Sequence, residues 1–111
     1  MTIYHVTTTS AWQAAQQAGQ YVHESLQHEG FIHCSTREQI GTVLNHFYHG
    51  QEGLLLLVID DTRLVSPLQY DENIAPNGTL DHFPHLYGPL NLDAVIEQIP
   101  LAPNPDGSFS Y

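Results

Sequence analysis

Two short segments gather side chains that could do chemistry: FIHCS at 31–35 and FPHLYG at 83–88. Each holds one histidine, His33 and His85, and an imidazole can give or take a proton near neutral pH. His33 stands just before a helix-start signal, Ser35-x-x-Glu38. A helix N-terminus offers free N–H groups and the positive end of a dipole, so Ser35 reads either as the helix cap or as a ligand contact. His85 shares its segment with Tyr87 and Gly88, and Pro84, Gly88 and Pro89 restrict the backbone there. Such stiffness suits a side chain held in one geometry, or an ordinary turn. His5 lies in a strand-like stretch whose alternation puts Ile3, His5 and Thr7 on one side and Tyr4 and Val6 on the other. A histidine there reads as a satisfied core residue or as a ligand contact.

Other chemistries are less well supplied. Among eight histidines, His46 and His49, and His82 and His85, are three apart. Zinc needs three or four converging ligands, and no HExxH is present, so no metal site is expected. The one cysteine, Cys34, rules out an intrachain disulfide and any CxxC motif. Neighbours on a strand point to opposite faces, so His33 is poorly placed to activate Cys34, which reads as a buried thiol. No GxGxxG, P-loop or GxSxG pattern occurs.

These segments need a scaffold, and 111 residues suffice for one domain. The pattern predicts a strand at 3–7, a helix at 11–18 closed by Gly19, a brief strand at 21–22, one helical turn at 25–28 and a buried strand at 31–34. A second helix carries Ile40, Val43, Leu44 and Phe47 at helical spacing and stops at Gly50. The apolar run 54–59, bounded by Gly53 and Asp60, predicts a central buried strand. Residues 71–82 read as a polar loop with an Asn77-Gly78 turn, and 92–99 as a strand. The core spans about 3–100, with a loosely attached tail at 101–111. The class is α+β with two main helices.

Charge narrows the partners. Twelve acids face only Arg37 and Arg63, giving a net charge of −10 at pH 7. Polyanions are held mainly through Lys and Arg, so nucleic acid and anionic membrane are poor partners. The longest apolar run is too short to span a bilayer, and the N-terminus lacks a signal-peptide pattern. The expectation is a cytoplasmic protein with a small-molecule partner; the oligomeric state is left open.

The strings IYHV, SLQHEGFIHCS, LLLLVID and FPHLYGPL resemble an uncharacterised family of small bacterial proteins, domain of unknown function 952, over about residues 3–100. That family is similar to ADP-ribosyltransferase-type folds, with a split, mostly antiparallel sheet and a central cleft. The order Tyr4-His5-Val6-Thr7, Phe31-Ile32-His33-Cys34-Ser35, Val58-Ile59-Asp60 also resembles that of NAD-dependent RNA 2′-phosphotransferases. The resemblance implies a nucleotide or ADP-ribose-like ligand and admits NAD as a cofactor. It puts His5 on a ribose hydroxyl, with Thr7, Ser35, Tyr87 and Gly88 as further ligand contacts and His33 and His85 as acid/base groups. Asp71, with Glu72 beside it, is the nearest counterpart of the late catalytic glutamate of such transferases. Val6 replaces the glycine of the phosphotransferase pattern, and neither arginine matches its phosphate-binding arginines. Two functions follow: a transferase or hydrolase, or a non-catalytic module that binds a metabolite or protein and uses its histidines structurally.

Overall fold

A computed structural model describes residues 1–111. In chain order the elements are β1 (Thr2–Thr8), α1 (Thr9–Ala18), β2 (Gln20–Tyr21), α2 (Ser25–His28), β3 (Ile32–His33), α3 (Arg37–Phe47), β4 (Leu54–Asp60), β5 (Leu68–Ile74), β6 (Leu80–Leu86), β7 (Leu90–Asn91) and β8 (Val95–Leu101), with short 3₁₀ turns after β4 and β7. All strand pairs are antiparallel, in three sets: β1-β4-β8, β2-β7 and β3-β6-β5. The class is α+β, as expected.

The apolar run in β4 reflects burial on both faces. Leu55, Leu57 and Ile59 join Trp12 and Ala15 of α1, with Ile3, Ile32, Leu86 and Leu90, in one cluster. Leu54 and Leu56 point the other way, to Ile40 and Leu44 of α3, Val6 and Phe109. A strand covered twice has no reason to alternate with polar residues. Thr8 caps α1 by accepting from the Ala11 N–H at 3.1 Å.

The two larger sheets meet at one point. Tyr4 and Ser35 exchange backbone N–H···O bonds, both 2.8 Å. On the other side, the Cys34 N–H donates to Pro84 O at 3.0 Å. The 32–35 segment therefore runs between β1 and β6. Because Ser35 belongs to this ladder, the helix start passes one residue on: Thr36 is the N-cap of α3, and its N–H donates to Gln39 Oε1 at 3.0 Å. The expected Ser35/Glu38 box is thus corrected to Thr36/Gln39. The Gln39 amide also donates to Asp81 Oδ2 and His82 O, both 2.9 Å, tying α3 to β6.

Two further expectations are corrected. Residues 71–82 are not a loop but most of a hairpin, with Leu68↔Leu86 through Ile74↔Leu80 in register and a turn closed by Ala75 N→Thr79 O at 2.7 Å. Its strands are largely exposed and so lack the apolar alternation by which strands are recognised. The tail is not loose either. Phe109 is buried beside α3, its N–H donates to Asn45 Oδ1 at 2.7 Å, and Asn45 Nδ2 returns a bond to Phe109 O at 3.1 Å. Gly41 makes room for this strap; a Cβ there would lie 2.6 Å from the Tyr111 carbonyl oxygen.

If the tail completes the second cluster, Phe109→Ala lowers unfolding stability by about 3 kcal/mol, the usual scale for an emptied aromatic site. Urea unfolding measures this, and a loss under about 1 kcal/mol would show the strap to be dispensable.

Candidate functional site

Register brings the two sequence-predicted histidines together. His33 of β3 lies directly opposite His85 of β6, ring centroids 5.2 Å apart and edge-on. Opposite β6 on its other side, Gln69 faces His85 and Asp71 faces Phe83, which puts Asp71 diagonal to His85 on the same face. Asp71 Oδ2 accepts from His85 Nδ1–H at 2.8 Å. The Tyr87 hydroxyl donates to the same oxygen in a short hydrogen bond. Those two bonds, Tyr87's first, hold the Asp71 carboxyl below its ordinary range, while the Tyr87 hydroxyl is raised.

This arrangement fixes the His85 tautomer. With Nδ1 donating to a carboxylate, neutral His85 carries its lone pair on Nε2. The ring is 3 % exposed, and Nε2 is buried without a hydrogen-bond partner. Phe31 covers one face of the ring, stacked at 3.9 Å and 14°. A buried lone pair with no donor carries a desolvation cost, typically about 1–3 kcal/mol, and a proton-transfer role is one reason for a fold to retain it.

His33 is half-exposed and has its own carboxylate: Nε2 lies 2.7 Å from Glu29 Oε2. That bond leaves Nδ1 as the nitrogen open to a ligand. Glu29 was not singled out from the sequence. It ends α2 and reaches His33 across Gly30 and Phe31, and its one signal is an acid four residues before a histidine.

His5 occupies a different position. Its Nδ1–H donates to His33 O at 2.6 Å, and its Nε2 meets the Tyr21 hydroxyl at 2.8 Å, which is 3.0 Å from Thr7 Oγ1. Burial pushes the His5 imidazole down to about 4 and the Tyr21 hydroxyl up to about 12. His5 is therefore neutral, and its polar atoms and those of Thr7 are engaged inside the fold, behind His33. Gly88 also does backbone work. Its φ is 151°, and a Cβ there would lie 2.5 Å from Ser66 Oγ, which donates to Pro89 O at 2.7 Å. Cys34 is buried, and burial pushes its thiol up to about 12, far from a thiolate. No three His, Cys, Asp or Glu side chains converge to hold a metal ion.

A cleft of about 400 Å³ opens beside the pair of histidines. Its walls are β1 (Tyr4 to Val6), the Cys34–Ser35 segment, the second half of α3 and the β5–β6 hairpin, with His33 and His85 both in the lining. Thus His5, His33, Ser35 and His85 reach the cleft, Asp71 and Tyr87 stand behind His85, and Thr7 and Gly88 stay outside it.

The family described as a protein of unknown function, DUF952, matches residues 6–98. The chain belongs to it. This DUF952 chain is similar to protein CC0527 from Caulobacter crescentus. Against its crystal structure the identity is 29%, the TM-score 0.85, and the match covers 99% of this chain and 94% of that one. Against its solution NMR structure the identity is 30% and the TM-score 0.78, covering 96% and 89%. No curated protein matches the sequence. In this DUF952 fold no helix is long and apolar enough to cross a membrane.

The His5 shift predicts a pH dependence. Its folded value lies below the ordinary 6.5, so on acidification the unfolded chain takes up the proton first. Stability is intact above about pH 6.5, falls as pH drops toward about 4 and then levels off, by about 3 kcal/mol from this residue. Denaturant unfolding between pH 7 and 4 measures the slope. His5→Gln flattens it, and an unchanged slope in that variant would assign the loss elsewhere.

Proposed function

We propose that the cleft binds a nucleotide-like small molecule by its ribosyl portion, and that His85 acts there as a general base with His33 as its acid partner. The observation that carries this reading is the buried, unpartnered Nε2 of His85, with Asp71 fixing the opposite nitrogen. A carboxylate that holds one imidazole nitrogen orients the ring and stabilises the imidazolium formed when the other takes a proton. In a transfer or hydrolysis step, the ligand parts the side chains that bury Nε2, which then removes the proton from the attacking hydroxyl or water. The departing oxygen takes a proton from Nδ1 of His33 in its doubly protonated form, whose Nε2–H is anchored by Glu29, and His33 is left neutral. The cleft volume lies within the range usual for small-ligand sites.

The family's resemblance to ADP-ribosyltransferases suggests an ADP-ribose-like ligand or NAD. The lining supplies imidazole and hydroxyl groups suited to ribose, but no Arg or Lys for a diphosphate. The diphosphate of NAD does not fit this donor set. A second reading keeps the cleft and removes the proton transfer: Phe31, lying over the His85 ring, favours simple binding of a metabolite or protein.

Histidine side-chain NMR tests the binding that both readings share, and variant kinetics separate them. Titration with nucleosides, nucleotides, ADP-ribose and NAD is expected to move the His33 and His85 signals at millimolar ligand. Signals that stay fixed with every compound would reject ligand binding at this site. Where turnover is found, Asp71→Asn lowers kcat by about 10²–10⁴-fold, the range typical of positioned acid–base groups. Unaltered turnover in both Asp71→Asn and His85→Gln would leave the non-catalytic reading.

A further inference from the structure

The character of the cleft changes along the β5–β6 hairpin. His85 lies near its base, Phe83 is the next residue on the same face, and Ile74 and Pro76 lie by the tip. Val43 and Phe47 of α3 line the opposite wall. Phe47 is 64% exposed and Ile74 67% exposed, although both line a concave site. Apolar side chains held open beside a polar centre gain burial when a flat ring covers them.

The charges lead to the same ligand. None of the 15 lining residues is Arg or Lys. Both cations of the chain are committed elsewhere: Arg37 lies over the Tyr111 ring, 4.9 Å from its centroid, and Arg63 Nε is 3.4 Å from Asp60 Oδ2. The N-terminus of α3, beside Ser35, is also a poor anion site. The Thr36 N–H is already donated to Gln39, and Glu38 stands in the first turn. Asp71 lies behind His85, and the whole chain carries −10. A phosphate entering this cleft finds no Arg or Lys to pair with, and the chain's net charge of −10 disfavours its approach.

We propose that the cleft is selective for an uncharged nucleoside: its ribose meets His33 and His85, its ring lies between Phe47 and Ile74, and a 5′-phosphate weakens binding. This deepens the function proposed above and rests on it. The four ribonucleosides and their 5′-monophosphates, titrated against the full chain with histidine NMR and calorimetry, test it.

At low ionic strength at least one nucleoside is expected to bind about tenfold or more tightly than its monophosphate. The gap narrows as salt screens the field. Phe47→Ser and Ile74→Ser, both at exposed positions, are each expected to weaken that nucleoside severalfold while the His85 shift persists on saturation. Monophosphates that bind as tightly as nucleosides would overturn the selectivity while leaving the His85 reading standing. Unchanged affinity in both serine variants would overturn the ring subsite. If no nucleoside or monophosphate moves the His85 signal, the inference fails, and the function beneath it fails with it unless ADP-ribose or NAD moves that signal.

Discussion

The two backbone hydrogen bonds between Tyr4 and Ser35 hold the molecule in register. On one side of them lies the β1-β4-β8 sheet with its doubly covered central strand; on the other lies the sheet that carries His33, His85 and Asp71. Through this bridge β1 reaches β3, and the His5 imidazole can donate to the carbonyl of His33. The position of the His33 backbone is therefore set from beneath by a neutral, buried histidine and from the side by β6. The cleft lies where the two sheets diverge from this junction, and Gln39 closes the frame by fastening α3 to β6.

Much of this frame was legible because burial leaves periodic traces. Ile40 and Leu44, four apart on α3, and the unbroken run of β4 announce one-sided and two-sided cover, whereas Val43 and Phe47 of the same spacing line the cleft. The alternation of Ile3, His5 and Thr7 against Tyr4 and Val6 also matches the two clusters. The β5–β6 hairpin left no such trace, since most of its side chains face solvent and its register is set by the turn and by β3. The helix cap shifted by one residue because a long-range backbone pair claimed Ser35, and no local rule contains that partner.

The candidate site divides in the same way. His33 and His85 could be picked out by type and surroundings, but their face-to-face placement depends on strand register. Asp71 entered through family resemblance; its bond to His85 spans the hairpin diagonal and could not be read from spacing in the chain. Glu29 had no periodic context at all, since it follows the single turn of α2. Conversely, the family resemblance placed Thr7 and Gly88 among the ligand contacts. In the fold Thr7 completes a buried hydroxyl chain and Gly88 makes way for Ser66.

The two outer strands, β5 and β8, have another effect. Each leaves a row of backbone groups that a foreign strand could join. Along β5 the chain places Asp71, Glu72 and Asn73, and along β8 it places Glu97 and Pro100. Carboxylates repel the like-charged edge of another copy, and proline removes a donor from the row. The acidity that we propose turns phosphate away from the cleft thus also protects the sheet edges, where it limits what adheres to the molecule.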